Sequence, residues 1–429
     1  MQFEAHILQK LRACVSSGQR IWLALSGGLD SSVLLSYMAE SEFHPHISAV
    51  YINHGLSEHA FRWQEHCEKC CEALAVPFVA HSVVLNKKKG GIEAAARQAR
   101  YAVFESVLNN GDVLLTAHHQ DDQVETVLQR FIRGAGLRGL AAMPEQRKLG
   151  RGLLIRPLLH CRRAELETWA KQRAIIWVDD ESNDSLRFDR NYLRHQVSPL
   201  LNKRWPQASR NIAKTAANLR ADLSLLQAYF DEDLARCDLR KERLGQSIAL
   251  SEFNSFNEHR QQALIRHWLA EQGCSPETQA LMQLANVIGA NESANPVLRL
   301  GSFELRRFSQ RLYCVPVLPL VDSGRVYSWD GVSPLNLSDG FCLYACVQEP
   351  MELKVSFRQS GERCQPVGRQ HSQTLKKLLQ EYKLEPWLRD RVPLISNKQG
   401  LVAVADVFMC EHPCGSTAQS FTWSYILST

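Results

Sequence analysis

Residues 21 to 132 alternate between short apolar runs and amphipathic ones. The runs at 21–26 (IWLALS), 47–53 (ISAVYIN), 78–85 and 113–117 (VLLTA) read as strands. Those at 57–75, 91–108 and 121–132 read as helices, the last stopped by the glycines of RGAGLRG. Strands that take turns with helices fold as a parallel sheet covered on both faces. The expected fold class is therefore α/β, a Rossmann-like parallel sheet. Such sheets bind ligands at the carboxyl ends of their strands. The residues that follow each strand are the ones to inspect.

After the first strand comes Ser26-Gly27-Gly28-Leu29-Asp30-Ser31. Two glycines let the backbone turn tightly and come close to a ligand. The helix that starts here offers unpaired N–H groups and a positive dipole end, which suit an anion. No GxxxxGK[ST] occurs, so this is not a Walker A loop. A carboxylate such as Asp30 beside phosphates calls for a cation between them. The second strand ends in Asn53-His54-Gly55. The third helix carries Glu93, Arg97, Arg100 and Tyr101, with Arg97 and Tyr101 on one face. The fourth strand runs into Thr116-Ala117-His118-His119-Gln120-Asp121-Asp122, and Glu125 follows one turn after Asp122. Two carboxylates at that spacing suit a hard cation with oxygen ligands. Helix capping explains one of these acids but not the paired histidines before them.

Beyond residue 157 the chain reads as helical at 162–173. A polar stretch follows, DDESNDSLRFDRNYLRHQ, with Asp180, Asn183, Asp189, Arg190, Asn191 and Arg194. Arg190 and Arg194 share a helix face. A long helical pattern spans 211–237, with a boundary near 206–210. The expected domains are 1–208, a mainly helical middle domain at 209–320 whose part at 249–315 ends in a strand-rich piece, a connector at 321–351 rich in Pro, Gly and Ser, and a mixed α+β unit at 352–429. The last unit has ten bases against five acids between 352 and 400, among them Arg369, Lys376 and Lys377 on or near a basic helix at 373–382. That balance suits contact with nucleic-acid phosphates.

The series SGGLDSS, GIEAAARQARY, TAHHQDDQVET, FIRGAG, RPLL and DDESNDSLRFDRNYLRHQVSPLL occurs in this order. The first motif resembles the pyrophosphate loop, SGGxDS, of the N-type ATP pyrophosphatases (PP-loop ATPases). The whole series resembles the bacterial tRNA(Ile)-lysidine synthetase family, and LKKLLQEYKLEPWLRDRVPLI resembles the last domain of its long form. The resemblance implies that Ser26, Gly27, Gly28, Leu29, Asp30 and Ser31 hold the pyrophosphate of ATP. It places Asn53 and His54 beside the adenine. It assigns Mg²⁺ to Asp30 and Asp122, and catalytic roles to Asp30, Arg97, His118, Asp122, Glu125, Arg190 and Arg194. The implied reaction adenylates the wobble cytidine in the CAU anticodon of tRNA(Ile) and then joins free L-lysine to it. Lysidine formation shifts reading from AUG to AUA and identity from Met to Ile. The middle domain and Arg369, Lys376 and Lys377 are implied tRNA contacts. Either an acid or His118 is available to take the proton from lysine.

Composition supports this reading without deciding it. The net charge is +5, and apolar residues make up 45%. No stretch approaches about 18 uninterrupted apolar residues, so no membrane partner is expected. The N-terminal MQFEAHILQKLRACV is amphipathic and reads as neither a secretory nor a transit signal. The 13 cysteines follow no framework spacing, which suggests free thiols in a reducing cytoplasm. The CxxC at Cys67–Cys70 has no second pair at zinc spacing. A sulfur-inserting tRNA enzyme shares this type of loop but needs activating cysteines near it. An amide-forming NAD or GMP synthetase leaves the basic C-terminal unit without a task. A non-catalytic tRNA binder has no need of Asp30, Asp122 and Glu125 together. The oligomeric state stays open, a homodimer included.

Overall fold

The chain is described from a computed structural model. The structure describes residues 2–16, 18–55, 57, 59–84, 91–179, 181, 185–274, 276, 278–291, 294–346, 350–359, 361–411 and 420–426, without the side chains of 2–6, 91–94 and 278. Asp180, Asn183 and the side chain of Glu93 lie outside the described part. Two compact units form, Met1–Leu226 and Gln227–Thr429. Helix Ala208–Arg236 begins where the sequence suggests a boundary and continues past Leu226.

In the first unit the elements follow in the order α1 (Gln2–Cys14), β1 (Ile21–Leu25), α2 (Leu29–Ala39), β2 (Ile47–Asn53), α3 (Ala60–Ala73), β3 (Phe78–Ser82), α4 (Gly91–Val107), β4 (Val113–Leu115), α5 (Gln120–Ile132), α6 (Leu137–Leu140), β5 (Gln146–Leu149), β6 (Gly152–Ile155), α7 (Arg163–Gln172), α8 (Asp189–Tyr192) and α9 (Ser198–Arg204). A wide helical turn, Leu193–Val197, joins the last two. The six-stranded sheet has the order β3-β2-β1-β4-β6-β5, with only β5 antiparallel. Hence β1 lies at the centre, with β2 on one side and β4 on the other.

Alternation along the strands sorts their side chains between two faces. Ile21, Leu23 and Leu25 face one way, with Ala49, Leu115 and Ile155, and meet α1, α2, α3 and α7. Trp22, Val50, Leu114 and Leu154 face the other and meet Phe104 of α4 and Leu108 just after it. Both faces are covered, as expected of a parallel sheet. The hairpin β5–β6 escapes the sequence reading. Its edge strand is QRKL, and charge on an edge strand hides the apolar alternation while it protects the edge.

The second unit departs from two expectations. The middle region carries a five-stranded antiparallel sheet of Arg240–Lys241, Gln246–Ala249, Arg311–Pro316, Phe303–Phe308 and Val297–Leu300 beside its helices. Its strands at 297–316 fall where the sequence reads as strand-rich after the helices, and Arg240–Lys241 and Gln246–Ala249 are the additions. Strands such as FELRRF alternate apolar with charged residues over a few positions, which is a faint signal. The stretch 321–351 is no plain connector. It contributes Tyr327–Trp329, Leu335–Asn336 and Phe341–Cys346, which pair with Leu353–Ser356 and Ser420–Tyr425. Its Gly, Pro and Ser residues are the turns between short strands. Helix Leu375–Glu381 buries Leu375, Leu378 and Leu379 and exposes Lys376 and Lys377.

Candidate active site

The turn between β1 and α2 has the shape its sequence requires. Gly27 has φ +81°, and a Cβ there would stand 3.0 Å from the Cys67 sulfur. Gly28 is extended and starts α2. The Ser31 hydroxyl donates to the Gly28 carbonyl at 3.0 Å and accepts the Ser26 N–H at 3.2 Å. The Ser32 hydroxyl donates to the Gly27 carbonyl at 3.3 Å. The loop is thus braced from within. The first N–H groups of α2 have no helical acceptor and no side-chain cap. That leaves an anion cradle at the carboxyl end of the central strand.

Asp30 stands at this cradle. Its Oδ2 lies 3.5 Å from His119 Nε2 and 3.5 Å from Arg163 Nη1. Its Oδ1 is buried and has no partner. His119, fully buried at the start of α5, also lies 3.5 Å from Asp121 Oδ2 and from Asp122 Oδ2. Burial opposes its charge, yet Asp122, Asp121 and Asp30 together push its pKa up to about 10. His119 is therefore an imidazolium at neutral pH. Its neighbour His118 behaves oppositely. Burial, with Arg156, Arg190 and Arg97 nearby, outweighs Asp122 and lowers its pKa to about 3. Its Nδ1 pairs with the Thr116 hydroxyl at 2.9 Å.

The acids of α5 meet arginines from 65 residues further on. Asp122 Oδ1 accepts from Arg190 at 2.6 Å and lies 3.4 Å from Arg194. Glu125 takes Arg190 Nε on one oxygen and Arg194 Nε on the other, both at 2.6 Å. Asp122 Oδ2 accepts the His119 N–H at 2.9 Å. Asp122 is buried, which would raise its pKa, but His119 and Arg190 hold it well below the usual carboxylate range. The expectation that Asp122 and Glu125 together present free oxygens to a cation is corrected here. Their spacing puts them on one face, but that face meets two guanidiniums. The unpartnered oxygen that fits Mg²⁺ belongs to Asp30, and Asp122 joins it only through His119.

The remaining candidates surround this centre. Asn53 is buried, and its Oδ1 accepts the Gly55 N–H at 2.9 Å. Burial and Arg100 lower the His54 pKa to about 4, and Arg100 Nε lies 3.3 Å from its Nε2. Arg97 lies over the Tyr101 ring, 4.8 Å from its centroid. In the second unit Arg369 pairs with Glu381 at 2.6 Å, and Lys377 stands 3.9 Å from the same acid. Among the described residues Lys376 makes no ion pair. Sequence reasoning missed His119 and Arg163. The doubled histidine is the only signal for the first, and the second lies 133 positions from Asp30. Cys67 packs beneath Gly27, and burial pushes its thiol up to about 12, so it offers no thiolate to sulfur chemistry.

Comparison with known proteins agrees with this geometry. Residues 1–201 match the PP-loop domain, 249–313 the TilS substrate binding domain, and 353–423 the TilS substrate C-terminal domain. The tRNA(Ile)-lysidine synthase of Coxiella burnetii is 39% identical over 438 residues, which is 99% of this chain and 96% of the relative. The chain belongs to the tRNA(Ile)-lysidine synthase family. Further synthases of this family, from Pseudomonas fluorescens and Serratia proteamaculans, are 40% and 38% identical over 90% and 96% of the chain and 88% and 95% of their own lengths. The PP-loop domain of the family uses ATP, and its match takes in the braced turn at Ser26–Ser31. No helix among the described residues is long and apolar enough to cross a membrane.

Two outcomes follow for the synthase. Gly27→Ala forces a side chain into a left-handed backbone against Cys67. It should lower the unfolding free energy by about 1–2 kcal/mol in a urea titration and weaken ATP binding; an unchanged midpoint and affinity contradict this account of the loop. Glu125→Ala leaves Arg190 and Arg194 short of a counter-charge. It should cost about 3 kcal/mol or more by the same titration, and a loss below about 1 kcal/mol contradicts a load-sharing role for the ion pairs.

Proposed function

We propose that this chain is an ATP-dependent ligase that makes lysidine at the wobble position of tRNA(Ile) bearing a CAU anticodon. The observation that carries the reading is the braced anion cradle after β1 with the unpartnered Asp30 oxygen beside it. Membership of the synthase family over nearly the full length supports it.

The chemistry has two steps. The oxygen on carbon 2 of the cytosine attacks the α-phosphorus of ATP, and pyrophosphate leaves. The ε-amine of lysine then attacks carbon 2. The carbon–oxygen bond breaks, and AMP leaves with that oxygen. A carbonyl oxygen is a poor leaving group until it carries a phosphoryl group, and lysine must lose a proton before it attacks. Ser26–Ser31 hold the β- and γ-phosphates through backbone N–H groups, and Asn53 and His54 lie beside the adenine. Asp30 is the residue that would hold Mg²⁺, which when bound neutralises the phosphate charge, and Asp122 braces it from behind by holding the charge on His119. Arg97, Arg190 and Arg194 supply positive charge where the α-phosphate and the flipped cytidine meet. His118 is uncharged at neutral pH, so it serves as a hydrogen-bonding partner. It takes up the proton of lysine only if the bound anions raise its basicity. Arg369, Lys376 and Lys377 attract the tRNA backbone. Its co-substrates ATP, lysine and tRNA support a cytoplasmic setting for the reaction.

Purified protein incubated with ATP, labelled lysine and tRNA tests this. Lysine-dependent label in the tRNA with AMP release is the expected result, and unlabelled tRNA with active protein contradicts it. Asp30→Ala should abolish pyrophosphate release, at least a hundredfold, and leave tRNA affinity within about twofold. Lost affinity with intact adenylation contradicts the role given to Asp30. Replacing Lys376 and Lys377 by Gln should weaken tRNA binding and reduce the slope of log affinity against log salt by about 1–2; an unchanged slope removes both residues from the interface.

A further inference from the structure

The second unit holds a cluster of potential metal ligands that the proposed reaction does not use. Helix Glu258–Glu271 carries His267 and Glu271 four residues apart, so they share a face. The last turns of helix Ala208–Arg236 bring Asp231 against them. One ring nitrogen of His267 and one oxygen of each acid lie within 4.8 Å of one another. His267 Nε2 meets Asp231 Oδ1 at 2.7 Å. The imidazole is only 4% exposed, and the Phe230 ring packs against it with 5.4 Å between centroids. Both acids are exposed. The helices therefore fix the nitrogen, while the oxygens can adjust and leave a path from solvent.

The protein does not balance the charge on this face. Among the described residues no lysine or arginine pairs with Asp231 or Glu271. Asp233, between the same two helices, is the contrast. It is buried and takes Arg260 on both of its oxygens, at 2.6 and 2.8 Å. Glu271 makes no hydrogen bond or ion pair among the described residues, yet it stands beside a second carboxylate. Like charges so close repel unless a cation lies between them. Packing does not satisfy the ring either, because His267 Nδ1 is buried with no partner.

The donor set narrows the ion. Mg²⁺ and Ca²⁺ take oxygen ligands, whereas an imidazole with carboxylates suits a first-row transition ion such as Zn²⁺. Bonds of about 2.0–2.2 Å put tetrahedral ligand atoms roughly 3.4 Å apart, a separation that rotation of two exposed acids can reach. We propose that His267, Asp231 and Glu271 bind one divalent transition cation, with water completing its shell. The ion replaces the proton that links Nε2 to Asp231, and the neutral ring then carries its proton on Nδ1. Two of the three ligands lie in the segment that matches the substrate binding domain, and the third lies before it. The ion thus clips helix Glu258–Glu271 to the end of the long helix that precedes it. This site needs no substrate and stands whether or not the reaction proposed above is correct.

Equilibrium dialysis of the full chain against Zn²⁺, with thiols kept reduced, tests the site. Glu271→Gln is the deciding variant. Glu271 has no partner among the described residues, so its amide keeps the fold and removes only a ligand. The wild type should bind Zn²⁺, and the Kd of one site should rise at least about tenfold in Glu271→Gln and in Asp231→Asn. Free thiols elsewhere in the chain also bind Zn²⁺, so Co²⁺ absorption is the second probe. Nitrogen and oxygen ligands give d–d bands without sulfur-to-metal charge transfer, and those bands should fade in both variants. Wild-type and variant chains that bind Zn²⁺ alike overturn the proposal. A wild type whose only Co²⁺ signal is that of thiolates overturns it as well. Mg²⁺ that displaces Zn²⁺ from this site at equal concentration overturns the ligand role of His267 and the site with it.

Discussion

A buried chain of charge organises the catalytic end of the sheet. It runs from Asp30 through the His119 imidazolium to Asp122, and on to Arg190, Glu125 and Arg194. Its members come from the cradle after β1, the start of α5, and the helical segment after the polar stretch. No single element could hold them, because each charge is stable in the interior only while its neighbour is present. The proton on His119 is part of the fold for the same reason. Its pKa is raised above the unfolded value of about 6.5, so its contribution is full below that pH and is lost as the pH rises through about 10. The cradle can then be rigid without a ligand, and its preorganised N–H groups meet phosphate at little reorganisation cost.

Two adjacent histidines take opposite charge states within this frame. His119 faces three carboxylates and keeps its proton, whereas burial, helped by nearby arginines, strips it from His118. The boundary between them separates a negative side, suited to a metal and phosphate, from a positive side, suited to anions. Arg156, just after β6, extends the positive side across the sheet.

The sheet, its helices and the cradle were legible in the sequence because each has a local signal. Strands such as IWLAL are continuous apolar runs, and a double glycine before Asp30 announces a turn. What the sequence concealed was long-range. Asp122 and Glu125 share a face by spacing, but only the fold shows that Arg190 and Arg194 cover it. Arg156 follows a four-residue strand that is hard to recognise. It is buried with no carboxylate partner among the described residues, and spacing does not report burial. The stretch 321–351 misled for a related reason. Turn residues dominate its composition, while its short strands gain their stability from partners near 353 and 420.

The central claim is that the cradle and Asp30 grip the diphosphate. A structure of the protein with Mg²⁺ and an ATP analogue carrying a methylene between its α- and β-phosphorus atoms tests it most directly. The account predicts β- and γ-phosphates on the backbone N–H groups of residues 27–31, with the ion about 2.0–2.1 Å from Asp30 Oδ1. A nucleotide bound at another strand end, or an Asp30 carboxylate turned away from the phosphates, would contradict it.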